Sequence, residues 1–223
     1  MPPAVKPPGL CIFDLDGTLV DSLRDIAEAV NECLELLGLP PCPIERYRHM
    51  VGEGVPKLCE RALGQTHPHL VERLAELARP RYRTRPLRHT RPYPGVVEMT
   101  RQLCDRGVKL AVLSNKPHEM TVAVVRALWP NGVFACIQGY LDEQHRKPDP
   151  HYVLRICREL DVSPARVCLV GDTPTDIETA RRCGARVVGV TWGFRARADL
   201  VAAGAAEIVD DPAALVALLG CRK

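Results

Sequence analysis

Residues 10–22, Leu-Cys-Ile-Phe-Asp-Leu-Asp-Gly-Thr-Leu-Val-Asp-Ser, run apolar for four positions and then stop at two carboxylates, Asp14 and Asp16, with Gly17 and the hydroxyl of Thr18 directly behind. A short apolar run that halts at Gly reads as a buried strand ending in a turn. In open α/β sheets ligands bind in the crevice at the carboxyl ends of the strands, which puts both carboxylates on its floor. Two neighbouring anions need compensation. A hard divalent cation such as Mg²⁺ supplies it, because it prefers carboxylate oxygens and leaves coordination positions free for phosphate. Asp and Gly are also ordinary turn residues, so the segment alone equally allows a plain strand followed by an acidic turn.

The chain beyond this strand divides into two textures. Ser22-Leu-Arg-Asp25 has the pattern of a capping box and opens a helix with apolar positions Ile26, Ala27, Val30, Leu34 and Leu37 that stops at Gly38. Helical periodicity continues over 44–50, 55–63 and 70–82, broken by Pro40-Pro41, Gly52-Glu53-Gly54 and Gly64. From Pro94-Gly95 onward, helices (96–106, 118–128, 152–160, 177–183, 213–219) alternate with apolar strands (108–113, 134–138, 167–170, 187–191). Such alternation implies βαβ units and a parallel sheet. The expected architecture is α/β: a doubly wound, Rossmann-like parallel sheet formed by 1–20 and 91–223, with a helical cap of residues 21–90 inserted after the first strand.

Composition narrows the function. A chain of 223 residues with 46% hydrophobic and 26% charged residues is ordinary for a compact globular protein. A net charge of +3 without an aromatic-interleaved basic stripe gives no indication of nucleic-acid binding. No apolar stretch of about 18 residues could span a bilayer, and the Pro-rich start has no apolar leader core, so a cytoplasmic protein without membrane contact is expected. The ten cysteines are scattered, with no C-x-x-C pair, and read as reduced core filler, Cys11, Cys136 and Cys168 among them. Seven arginines between Arg73 and Arg91 read as a solvated face, with attraction of an anionic substrate as the second possibility.

Three further strand ends carry chemistry. Leu110–Leu113 runs into Ser114-Asn115-Lys116-Pro117, a hydroxyl and an amide at an expected helix start, where free N–H groups and the helix dipole suit phosphate oxygens; plain N-capping explains them too. Arg146-Lys147-Pro148-Asp149-Pro150 sets a lysine before two prolines that restrain its backbone. Val167–Val170 ends in Gly171-Asp172-Thr173-Pro174-Thr175-Asp176. Asp172 is a third metal-ligand candidate. Thr173, Pro174 and Asp176 make a helix start in which Asp176 is a capping acid, with a second role in orienting metal-bound water.

Together, Asp14-Leu-Asp16-Gly17-Thr18, Ser114, Lys147-Pro-Asp-Pro150 and Gly171-Asp172-x-x-x-Asp176 resemble, in order, the motifs of the haloacid dehalogenase-like superfamily. The insertion looks like that family's first-type cap. Val51-Gly-Glu-Gly54, Leu58 to Gly64, Thr191-Trp-Gly-Phe194 and Val209-Asp-Asp-Pro212 look most like phosphoglycolate phosphatases. The resemblance implies a phosphatase for a small phosphomonoester. Asp14 would attack phosphorus to form an aspartyl-phosphate, and Asp16 would act as acid and then base. Mg²⁺ would be held by the Asp14 side chain, the Asp16 main-chain carbonyl and Asp172, while Ser114, Asn115 and Lys147 hold the phosphoryl group and Asp176 assists. Gly17 and Thr18 would add phosphate contacts, and Gly52, Glu53 and Gly54 would reach the leaving group from the cap.

Sugar phosphates, pyrophosphate and nucleotides stay open as substrates, as does a phosphomutase, which would share the nucleophile. A dehalogenase is disfavoured because a departing halide gives Asp16 no role, and a catalytically silent binding module fits least. Either monomer or homodimer is compatible. The G-x-S-x-G, G-x-x-x-x-G-K-[ST] and H-E-x-x-H patterns and the dinucleotide-binding glycine fingerprint are absent.

Overall fold

The computed structural model describes residues 7–219. The first part of the Pro-rich start, the last residues of the expected core range and Cys221 lie outside them.

The strand of the opening motif is β1 (Leu10–Phe13). The chain then makes a two-residue strand, β2 (Val20–Asp21), and enters helices α1 (Leu23–Leu36), α2 (Val55–Leu63) and α3 (Val71–Thr84), with 3-10 turns at Ile44–His49 and Pro68–Leu70. It returns through β3 (Arg91–Pro92), which pairs antiparallel with β2, Val20 opposite Pro92. There follow α4 (Val96–Asp105), β4 (Lys109–Pro117), α5 (His118–Leu128), β5 (Cys136–Tyr140), α6 (His151–Glu159), β6 (Val167–Gly171), α7 (Pro174–Cys183), β7 (Arg186–Val190), α8 (Arg197–Ala202), β8 (Ile208–Val209) and α9 (Pro212–Leu218). The larger sheet has six strands in the order β5-β4-β1-β6-β7-β8, every pairing parallel. Strand order reverses beside β1, and in such sheets the crevice opens at that reversal.

Register explains why the motifs meet. Phe13 lies opposite Val112 of β4 and Val170 of β6, so Asp14, Leu113 and Gly171 come next on three adjacent strands. Cys11, Phe13, Val112 and Val170 face one core with α4 and α9, while Leu10, Ile12, Leu113 and Leu169 face the other with α6 and α7. Burial on both faces is why these strands read as unbroken apolar runs. The helical insertion buries a core of its own around Cys33, Leu34, Tyr47, Cys59 and Leu74. One residue of that core comes from elsewhere: Phe194, in the loop after β7.

Three expectations need correction. The Ser22–Asp25 pair forms no capping box: Ser22 caps no helical N–H, and its hydroxyl donates to Asp16 Oδ1 at 2.6 Å. Asp25 instead accepts from the Thr90 N–H (2.8 Å), the Thr90 hydroxyl (2.6 Å) and the His89 N–H (2.9 Å). It thereby ties the start of α1 to the returning chain, a buried junction whose N–H groups need partners more than the helix end does. Second, β4 runs past its expected end at 113, through Ser114, Asn115 and Lys116 to Pro117; α5 begins at His118 as expected, so Ser114 and Asn115 lie within the strand rather than at the helix start. Third, α8 and the short strands β2, β3 and β8 carry too few residues for a periodic signal, and the sequence pattern passed over them.

None of the nine described cysteines is in a disulfide, and Cys11 and Cys168 are fully buried; Cys136, at the sheet edge, is only partly so. No helix among the described residues is long and apolar enough to cross a membrane.

Candidate active site

Asp14 follows β1 directly and is buried. Asp172 follows β6, and Asp176 lies in the first turn of α7. The three carboxylates offer oxygens all within 4.8 Å of one another. Lys147, whose side chain is 3% exposed, pairs with two of them, reaching Asp14 Oδ1 at 2.9 Å and Asp176 Oδ1 at 2.7 Å. Asp176 Oδ2 accepts from the Thr173 N–H (3.1 Å) and hydroxyl (2.7 Å), so the expected capping acid is also part of the cluster. Asp172 is fixed by the Thr18 hydroxyl (3.0 Å) on Oδ1 and the Phe194 N–H (2.7 Å) on Oδ2.

Charge is not balanced there. Burial pushes the Asp14 carboxyl up to about 7 against the pull of Lys147, with Asp176 and Asp16 adding to the rise. Burial, with Asp14 and Asp176 alongside, pushes Asp172 up to about 8, only partly opposed by its two donors. Burial works against the charge of Lys147 as well, but Asp14 and Asp176 more than offset it and hold the ammonium above the usual lysine range. Among the described residues all hydrogen bonds to Asp14 fall on Oδ1, from Lys147 and the Leu15 N–H (2.7 Å), leaving Oδ2 free. Three carboxylates, one ammonium and a free oxygen in a dry place form an all-oxygen donor set that suits a hard divalent cation.

Close packing holds this arrangement. Gly17 has φ +91°, and a Cβ on it would fall on the Asp172 carboxylate; a Cβ on Gly193 would meet Gly17 O and Asp172. The loop carrying Gly193 is further tied down by Trp192 Nε1 donating to Thr18 O at 2.9 Å.

Asp16 stands apart from the cluster. Its carboxylate takes the Ser22 hydroxyl and the ammonium of Lys116, which contacts both oxygens. The Lys116 side chain is 3% exposed and lies over the ring of Tyr82, 4.9 Å from its centroid. Above both aspartates opens a cavity of about 280 Å³, walled by Asp14, Asp16, Ser114, Asn115 and Lys116 from the sheet and by Ile26, Val30, Gly52, Gly54, Val55, Leu58, Ala78, Arg79 and Tyr82 from the insertion.

The structure thus brings together Asp14, Asp172, Asp176 and Lys147, and puts Asp16, Ser114, Asn115 and Gly54 on the cavity wall. Asn115 also ties loops: its amide donates to Gly52 O (3.0 Å) and Lys147 O (2.9 Å) and accepts from the Lys147 N–H (2.8 Å). Three expected site residues are placed otherwise. Glu53 is exposed, pairs with Arg61 and forms no part of the cavity wall, because the glycines on either side turn its side chain outward. Gly17 and Thr18 lie beneath Asp172 rather than on the cavity, supporting a carboxylate instead of facing a ligand. Lys116 and Tyr82 went unmarked. A lysine inside an apolar strand, and the one tyrosine in an arginine-rich helix, were the available signals.

The chain belongs to the haloacid dehalogenase-like hydrolase family, whose pattern it matches over residues 11–190. It is 35% identical over 219 residues to the phosphoglycolate phosphatase of Pseudomonas putida, covering 96% of this chain and 80% of that one. It is 36% identical over 183 residues to the phosphoglycolate phosphatase of Aquifex aeolicus, covering 82% and 84%. A crystal structure from Lactobacillus delbrueckii subsp. bulgaricus, titled as a candidate phosphoglycolate phosphatase, superposes with a TM-score of 0.89 at 31% identity, covering 96% of this chain and 98% of that one. Family and relatives make the chain a phosphoric monoester hydrolase.

Proposed function

We propose that this enzyme hydrolyses a small phosphomonoester through an aspartyl-phosphate, with Asp14 as nucleophile and Mg²⁺ as cofactor, and that residues 21–90 act as a cap closing over residues 1–20 and 91–223. The observation that carries the reading is the trio Asp14, Asp172 and Asp176, two of them paired with Lys147, beside the cavity that Asp14 lines. In the first half-reaction an Asp14 oxygen attacks phosphorus, the bond to the alcohol oxygen breaks, and Asp16 gives that oxygen a proton. In the second, Asp16 takes a proton from water as the water oxygen attacks phosphorus, releasing inorganic phosphate and regenerating Asp14.

Asp14 and Asp172, with the Asp16 main-chain carbonyl, would hold the metal, and Asp176 would flank it. Mg²⁺ would supply positive charge that keeps Asp14 ionised and offsets charge on the transferring phosphoryl group. Lys147 screens Asp14 from Asp176, so a dianionic ester can approach. Ser114 and Asn115 offer a hydroxyl and an amide at the same wall. The insertion closes the other wall, and the Asn115–Gly52 bond fastens it. Excluding water strengthens each of these interactions.

Phosphoglycolate is the substrate to try first, because relatives at 35% and 36% identity carry that name. Phosphate release with Mg²⁺ across phosphoglycolate, sugar phosphates, pyrophosphate and nucleoside monophosphates tests the reading. Release from none of them overturns the phosphatase proposal; transfer to a sugar phosphate in place of water reassigns the chain as a mutase.

A further inference from the structure

Buried lysines are rare unless paired, and two are buried among the described residues. The reaction above uses Lys147 and leaves Lys116 without a part. Lys116 sits near the end of β4, next to β1, and spans the two oxygens of Asp16. Ser22 grips Oδ1 from the junction with the insertion. On its far side the ammonium lies over the face of Tyr82, a residue of α3. The Tyr82 hydroxyl is buried, lies near the same ammonium and makes no well-aligned hydrogen bond among the described residues, so the ring face is the part of Tyr82 set over the cation. Acid, ammonium and ring thus form a row from the sheet to the insertion, and all three line the cavity.

We propose that Lys116, seated by the Tyr82 ring, is a positioning residue that keeps the Asp16 carboxyl group turned toward the leaving-group oxygen. The proposal rests on Asp16 being the acid–base of the phosphatase reaction. As the bond from phosphorus to the alcohol oxygen breaks, its electron pair moves to that oxygen and the Asp16 proton follows; the resulting carboxylate is the species that Lys116 and Ser22 hold. Because Tyr82 comes from the insertion, the acid is fully held only while the insertion is seated. A lysine acting on the phosphoryl group would serve every ester alike. A lysine acting through Asp16 matters most where the leaving oxygen needs a proton.

Leaving groups therefore decide. Turnover of phosphoglycolate, an alkyl ester whose oxygen must be protonated, is compared with that of p-nitrophenyl phosphate, whose phenolate departs unaided. General acid catalysis contributes about 10²–10⁴-fold, so K116M is expected to lower kcat on phosphoglycolate by roughly 30-fold or more and on p-nitrophenyl phosphate by less than about 3-fold. Y82L is expected to move the ratio of the two rates the same way by a smaller factor, and Y82F, which keeps the ring, to restore it. Circular dichroism confirms that each variant is folded, and the Tyr82 pair decides the matter if K116M is not. Equal losses on both esters, or no change in the ratio, overturn the role of Lys116 while leaving the phosphatase reading intact. Wild-type enzyme that cleaves neither ester overturns both.

Discussion

Two buried lysines stand on either side of the opening motif, and their surroundings differ in one respect. Lys147 pairs with two carboxylates, Asp14 and Asp176, that share their cluster with a third, Asp172, whereas Lys116 pairs with one. The first group is short of positive charge and pushes two of its acids up to about 7 and about 8; the second is neutral by itself. The difference separates two tasks. On the proposed reading the unbalanced cluster would receive a metal and a phosphoryl dianion, while the balanced pair would hold and move a proton.

The largest effect expected is on the unbalanced side. Asp14→Asn should reduce phosphate release to background while circular dichroism and the unfolding midpoint stay close to wild type; near-normal release would end the nucleophile assignment. Next, Lys147→Met removes the cation paired with Asp14 and Asp176 in a buried cluster, and breaking such a pair costs about 3–5 kcal/mol. Urea unfolding without metal should show a loss of that order at pH 8 and a smaller one at pH 5, where the acids can be protonated. A loss below about 1 kcal/mol at both pH values would mean the cluster is not strained by its charge.

A pH titration probes the same imbalance without mutation. Asp14 and Asp172 have folded pKa values raised above those of an unfolded chain, so between roughly pH 4 and pH 8 the native state binds more protons than the unfolded state. The slope of stability against pH is then negative. The melting temperature of metal-free protein should fall by several degrees as pH rises through that window. Added Mg²⁺ should restore most of it at pH 8 and little at pH 5, because binding to the native state alone stabilises by mass action. A flat profile would contradict the cluster. The smallest effect belongs to neither lysine: Glu53→Gln should leave kcat/KM for phosphoglycolate within about twofold, because its carboxylate pairs with Arg61 outside the cavity.

What could be read from the sequence follows from what each residue does locally. The parallel sheet and the insertion were legible because strands buried on both faces leave unbroken apolar runs, and because helices 23–36, 55–63 and 71–84 keep their period. Asp14 and Asp172 were legible because each lies where such a run stops, and Lys147 because prolines restrain the backbone behind it. The interior of the Ser114–Pro117 segment was not, since proline and polar residues suggest a helix start while pairing with β5 keeps it extended. Lys116 on Asp16 and Ser22 on Asp16 are contacts across elements, fixed by register and by the path of the insertion rather than by any local pattern. Glu53 misled for the opposite reason: flanking glycines mark a loop that approaches the site without saying which way its one long side chain points.

Phe194 gives the helical insertion a claim on the sheet that chain order conceals. Its N–H holds Asp172 while its side chain completes the hydrophobic interior of the helices, and Arg195 beside it donates to Val51 O. Residues 191–196 therefore travel with the insertion in any recombination between relatives. A chimera that swaps 21–90 alone would graft a set of helices missing one of its own core side chains and would slacken a carboxylate far outside the swapped segment. One that exchanges both segments together keeps the unit whole.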